Sequence, residues 1–200
     1  RISGVNSLIE TEYSVMADRI EAGTFCVAAT LTKGNLQISN LNPKIINTEI
    51  KLLKKVGAKI KTENNKILIK GPNKIKSIKS IKTKEFPGIP TDLQAQLMVL
   101  MCKAVGKSSI TESIFENRFM HVAELQRLGA KINVNNNTAA IKGNTKFIGA
   151  ELMSSDLRAS VALVLAAIVS KGKSFINRIY HLDRGYEKIE NKLKKIGVKI

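Results

Sequence analysis

An α/β (α+β) fold of three repeated helix–strand–helix–hairpin units with pseudo-threefold symmetry is what this sequence predicts. Two observations carry the prediction. Three segments end alike, "LLKKVGAKI" (52–60), "ELQRLGAKI" (124–132) and "KLKKIGVKI" (192–200), and their glycines Gly57, Gly129 and Gly197 lie 72 and 68 residues apart. Three acids, Asp18, Asp92 and Asp156, each open a run rich in Ala, Leu and Val that Gly34, Gly106 and Gly172 close 16, 14 and 16 residues later. Self-similarity at a fixed period marks repeated supersecondary units, and one such unit cannot bury its apolar face alone. The three therefore pack together with helices inward.

The elements follow in order. In the first unit, about 17–80, Asp18 starts a helix that stops near Gly34, "NLQISNL" is a strand, and "NTEIKLLKKV" is a second, amphipathic helix ended by Gly57. "AKIKTENNKILIKG" then alternates as a hairpin, with Asn64-Asn65 at the turn because asparagine tolerates positive φ. The second unit, about 81–150, repeats this with a strand before the Asp92 helix, then "SSITESIF", "MHVAELQRL" and the hairpin "AKINVNNNTAAIKG" turning at Asn136-Asn137. The third, about 151–200, has the Asp156 helix, "SFINRIYH" and "YEKIENKLKKI", and stops at its first hairpin strand. An absent segment is expected to supply the missing strand. Acids at all three helix starts are expected to cap exposed N–H groups, at roughly 1 kcal/mol each.

Composition excludes several classes. The longest apolar stretch, "VALVLAAIV" (161–169), is too short to span a bilayer, so no membrane partner is expected. The chain begins at Arg1 without a charged-then-apolar leader and reads as a piece of a longer protein. Cys26 and Cys102 sit in apolar runs without metal spacing, so both are expected in the core of a protein of a reducing, cytoplasmic compartment. No zinc-spaced Cys/His cluster or phosphate-cradling glycine loop occurs, so no cofactor and no metal are expected. The net charge of +17 invites a nucleic-acid reading, but only seven of the 33 basic residues are arginine and aromatics are only 4%. Lysines spread over solvated faces with few stacking platforms argue against a nucleic-acid partner.

Candidate functional residues are those the repeats leave unexplained. Asp92 alone is preceded by the rigid "PGIP", and it has no cation nearby in sequence, which leaves it freer to act as a base. Arg118, Arg158 and Arg184 stand near helix starts in a chain that otherwise favours lysine. A guanidinium offers a planar fork for carboxylate or phosphate that lysine does not. Spacing alone leaves two readings open: the three form an anion site, or each pairs with its neighbouring acid, Arg158 with Asp156, Arg184 with Asp183 and Arg118 with Glu116. His121 and His181 beside these junctions read first as structural residues.

At the same junctions the chain resembles the enolpyruvyl transferases, in the branch that takes UDP-N-acetylglucosamine as acceptor. The residues that carry it are "DRIEAGTF" (18–25), "PTDLQAQ" (90–96), "TESIFENRFMHVAELQRLGA" (111–130), "DLRAS" (156–160) and "RIYHLDRGYEKIE" (178–190). Ala17 and Ile89 depart from the pattern, where a proline and an aromatic are common. The resemblance implies a two-domain enzyme, each domain an inside-out α/β barrel with helices inside and sheets outside, with 1–16 the tail of a first domain and 17–200 the second. It implies transfer of the enolpyruvyl group of phosphoenolpyruvate to the sugar 3-hydroxyl, with release of phosphate, early in peptidoglycan synthesis. Asp92 then matches the carboxylate that contacts the sugar hydroxyl and acts as general base, and Ile114 a contact to the sugar nucleotide through its backbone. Arg118, Arg158 and Arg184 match arginines of the phosphoenolpyruvate region, Arg158 and Arg184 being assigned to its carboxylate and phosphate. The family's proton-donating cysteine belongs to the absent first domain, so neither Cys26 nor Cys102 takes that role, and the fragment alone is expected to be inactive. A shikimate-phosphate transferase and a basic nucleic-acid-binding repeat module are the alternatives.

Overall fold

The computed structural model describes residues 1–200, a mixed α/β arrangement of seven α-helices and nine strands. Residues 1–18 carry no regular secondary structure and are almost wholly exposed. Helix α1 (Arg19–Leu31) follows, capped by Asp18, whose Oδ1 accepts the Ile20 and Glu21 N–H groups at 2.7 and 3.2 Å. Then come β1 (Asn35–Ser39), a 3-10 turn (Pro43–Ile46), α2 (Asn47–Lys55), and the hairpin β2 (Lys59–Glu63) and β3 (Lys66–Lys70). The next stretch has β4 (Ser80–Lys82), a 3-10 turn (Thr91–Leu93), α3 (Gln94–Lys103), β5 (Lys107–Thr111), α4 (His121–Arg127), β6 (Lys131–Asn135) and β7 (Thr138–Lys142). The last has β8 (Glu151–Met153), α5 (Leu157–Ile168), β9 (Phe175–Asn177), α6 (Tyr180–Asp183) and α7 (Ile189–Lys195).

Helices α1, α3 and α5 pack pairwise against one another. Their composition explains why. A helix that is apolar around its whole circumference has no solvent face to offer, and every residue of α3 from Gln94 to Cys102 is buried. Cys26 and Cys102 lie within this core as free, fully buried thiols, and burial pushes both up to about 12. Three small sheets lie against the helices: β1–β3–β2, all antiparallel; β4–β5–β7–β6, with β4 parallel to β5 and the rest antiparallel; and the parallel pair β8–β9. In β3 and β7 alternate residues are buried, the pattern of a sheet with one covered face. Asn65 and Asn136 take positive φ at the two hairpin turns.

Two local expectations are corrected. Asp92 does not cap its helix: Pro90 holds the flanking position, Asp92 lies inside the 3-10 turn, and no side-chain cap bond forms there. Asp156, by contrast, caps α5 by accepting the Arg158 and Ala159 N–H groups. Residues 198–200, expected to begin a hairpin strand, have no partner strand and form none. Helix α1 ends at Leu31, just before Gly34, and Lys33 takes the left-handed position there.

Candidate active site

The starts of α3 and α5 come together, and with them Asp92 and Arg158. The Arg158 Nε donates to Asp92 Oδ1 in a close ion pair that spans 66 residues of sequence. This overturns both local readings of these residues. Asp92 is not free of cations, and Arg158 is not the partner of Asp156, whose carboxylate is occupied by backbone N–H groups and Ser155. Burial alone would raise the Asp156 carboxyl. The Ala159 and Arg158 N–H groups, the Ser155 hydroxyl and His121 outweigh it and hold the group below its ordinary value. Neither Arg184–Asp183 nor Arg118–Glu116 forms an ion pair.

The pair separates two small cavities. On one side, about 200 Å³ is lined by Asp18, Ile20, Asp92, Leu157, Arg158, Gly185 and Tyr186. On the other, about 230 Å³ is lined by Thr91, Gln94, Asn117, Arg118, Met120, His121, Asp156 and Arg158. Arg158 therefore faces both, and Arg118 joins it in the second. The Arg118 guanidinium also lies over the Phe115 ring, 4.3 Å from its centroid, which steadies a long side chain on a loop. In this second cavity the Nε2 atoms of His121 and Gln94 are buried without a hydrogen-bond partner. Burial lowers His121 to about 4, against a smaller opposing pull from Asp156, so its imidazole is neutral at neutral pH.

Ile114 sits beyond Arg118, in the loop that joins β5 to α4. That loop and the turn of the β6–β7 hairpin line an open groove of about 670 Å³. The Ile114 N–H is not open to a ligand, because it donates to Glu112 Oε1 at 2.9 Å. Arg184 is not gathered into the cavities; it closes α6 with an exposed side chain, one residue before Gly185. The structure thus joins Asp92, Arg158 and Arg118, places Ile114 alongside, and leaves Arg184 at the margin.

Sequence reading missed a buried polar cluster beneath Asp92. The Gln96 Nε2 donates to the Asp92 carbonyl at 2.9 Å and to Thr24 Oγ1 at 3.1 Å, while Thr24 and the Tyr186 hydroxyl share a hydrogen bond of 2.8 Å. Burial pushes Tyr186 up to about 12, so it serves as a neutral hydrogen-bonding group. The contact ties α1, α3 and the loop after α6 together at the floor of the site. Only Gln96 carried a sequence signal, since it stands four residues after Asp92 and so one helical turn above it.

A carboxylate with one oxygen committed to the Arg158 guanidinium and the other unbonded, next to a cavity that Arg158 shares with Arg118, suits a reaction that removes a hydroxyl proton while anionic groups are held nearby. The comparisons with known proteins agree in class. Residues 1–193 match the family described as EPSP synthase (3-phosphoshikimate 1-carboxyvinyltransferase), and the chain belongs to that enolpyruvyl transferase family. Among its members, the chain is 67% identical over 200 residues to the UDP-N-acetylglucosamine 1-carboxyvinyltransferase of Pelagibacter ubique, covering 100% of this chain and 48% of that protein. It is 50% identical over 199 residues to the protein of the same name from Desulfosudis oleivorans, again covering 48% of it. The chain spans about half the length of the curated relatives it matches. In structure it is similar to the enolpyruvyl transferase NikO from Streptomyces tendae, with a TM-score of 0.84 and 27% identity over 92% of this chain and 44% of that one. An EPSP synthase from Acinetobacter baumannii shares the fold at a TM-score of 0.74 and 20% identity, over 92% of this chain and 47% of that one.

Proposed function

We propose that this chain is the second domain, residues 17–200, of an enzyme that moves the enolpyruvyl group of phosphoenolpyruvate to the 3-hydroxyl of UDP-N-acetylglucosamine. Residues 1–16 are the tail of the first domain, and the three units build an inside-out barrel with pseudo-threefold symmetry. The mutual packing of α1, α3 and α5 with sheets against them supports that architecture. The observation that carries the function is the Asp92–Arg158 pair, whose arginine also lines a cavity with Arg118. Asp92 takes the proton of the acceptor hydroxyl as its oxygen bonds to C2 of the enol phosphate. C3 gains a proton from the first domain, and the C2–O bond to phosphate then breaks as C3 gives a proton up. Arg158 and Arg184 hold the carboxylate and phosphate of the donor, Arg184 once the cleft closes, and Arg118 lies beside Arg158 in the same cavity. Fixed guanidiniums stabilise the extra charge at the tetrahedral centre.

The acceptor is taken from the relatives, which carry the sugar-nucleotide name at up to 67% identity. The setting is the cytoplasm, at the start of peptidoglycan synthesis, and the partners are the two substrates and the first domain of the same enzyme. No helix is long and apolar enough to cross a membrane. Phosphate release tests the reading. The full-length protein is expected to release phosphate only when both phosphoenolpyruvate and UDP-N-acetylglucosamine are present, and the 200-residue chain alone to release none. Release with shikimate 3-phosphate in place of the sugar nucleotide would move the enzyme to the other branch.

A further inference from the structure

Glu112, directly after β5, is 2% exposed and has no cation within ion-pair distance. A buried carboxylate without a counter-charge is costly unless hydrogen bonds replace its water. Four donors do so here. Its Oε1 accepts from Thr83 Oγ1 at 2.8 Å, from the Ile114 N–H at 2.9 Å and, at the longer distance of 3.4 Å, from the Phe115 N–H. Its Oε2 accepts from Thr91 Oγ1 at 2.8 Å. The donors come from three separate segments: the residue after β4, the 3-10 turn that bears Asp92, and the loop that bears Ile114. Thr83 reinforces the join, since its own Oγ1 accepts the Ser113 N–H at 2.9 Å.

We propose that Glu112 is a positioning residue that fixes the Asp92 turn relative to the Ile114 loop, and so sets the geometry in which the sugar nucleotide is held. The inference rests on the transferase reading for its kinetic consequence. Two acceptor oxygens on one rigid carboxylate serve donors on both sides. Glutamine offers one oxygen and an NH₂, so the Thr91 hydroxyl must turn to accept from the NH₂ or the loop N–H groups lose their acceptor, and in either case weaker neutral bonds replace the charge-assisted ones. Asp92 and Ile114 then remain present but are no longer held in register, and a small displacement of a catalytic base is expensive.

The test uses the full-length protein carrying Glu112→Gln, Thr91→Val, both together, and Thr91→Ser. Each of the first two is expected to lower kcat by about 10- to 100-fold and raise KM for UDP-N-acetylglucosamine, with KM for phosphoenolpyruvate moving less than about twofold. The double variant is expected to be no worse than Glu112→Gln, because both cut the same link. Thr91→Ser keeps the hydroxyl and is expected to restore wild-type behaviour. Hydrogen exchange gives a readout independent of turnover. In Glu112→Gln the Leu93 amide, bonded to the Pro90 carbonyl, is expected to exchange at least about tenfold faster, while the Ser109 amide of β5 does not change. Overturning results are kcat and both KM values within about twofold of wild type, losses that multiply in the double variant, or unchanged Leu93 exchange. If Glu112→Gln does not fold, Thr91→Val against Thr91→Ser decides, and equal activity overturns the proposal. A wild-type protein that releases no phosphate from the two substrates defeats the transferase reading, and the exchange data then judge the Glu112 clamp alone.

Discussion

At the residue scale, Asp92 shows how three-dimensional neighbours reassign a side chain. Asp18 and Asp156, before α1 and α5, do what an acid at a helix start does, accepting N–H groups from the first turn. Pro90 shifts Asp92 inward by two positions and releases its carboxylate to Arg158. The "PGIP" stretch made this site stand out in sequence, as arginine use did for Arg118 and Arg158. Their grouping was not legible, since the deciding contact spans 66 residues. The Thr24–Tyr186 bond, across 162 residues, left no local trace at all. His121 carries a prediction of its own. Its folded value of about 4 lies below the ordinary 6.5, so the unfolded chain binds the proton more readily. The stability this gives is fully present above pH 6.5 and is lost as the pH falls toward about 4. Between pH 7 and about 4.5 the loss is on the order of 2–3 kcal/mol. Urea midpoints at the two pH values are expected to show His121→Gln losing less stability than wild type by that amount, and equal losses would contradict it.

At the element scale, the helices and hairpins were legible because their periods are strong and their glycines recur. The sheet partners were not, since a strand's pattern marks its buried face but not its neighbour. The parallel pairing of β4 with β5 and of β8 with β9 is such a case. The strand expected after Gly197 shows the same limit, for a strand without a partner has no ladder to join. The hairpins also dock closely on the helix ends. A Cβ at Gly143 would lie 1.9 Å from the Ala104 carbonyl oxygen and 2.6 Å from that of Gly106, and one at Gly71 would lie 2.3 Å from the Ala29 oxygen. Backbone on both sides leaves nothing flexible to yield. Gly143→Ala is therefore expected to cost about 2–4 kcal/mol in chemical unfolding, whereas Gly4→Ala, with nothing within 4 Å, stays within about 0.5 kcal/mol of wild type. Equal stability of the two variants would mean that the hairpin can lift from the helix end at little cost.

At the scale of the whole molecule, three buried helices bring their starts to one place, and the side chains carried there face an open cleft. Asp92 and Arg158 remain 40% and 34% exposed, as residues of a site that is completed from outside would be. The chain spans about half the length of its curated relatives, and we propose that the first domain forms the other wall of the cleft. The central claim is that the Asp92 carboxylate removes the acceptor proton. The measurement that tests it most directly is steady-state phosphate release by the full-length protein carrying Asp92→Asn, with both substrates saturating. The expected result is a kcat lower by about 10²- to 10⁴-fold, with a melting temperature close to wild type because a half-exposed ion pair contributes little to stability. A folded Asp92→Asn protein that turns over within a few fold of wild type would contradict it.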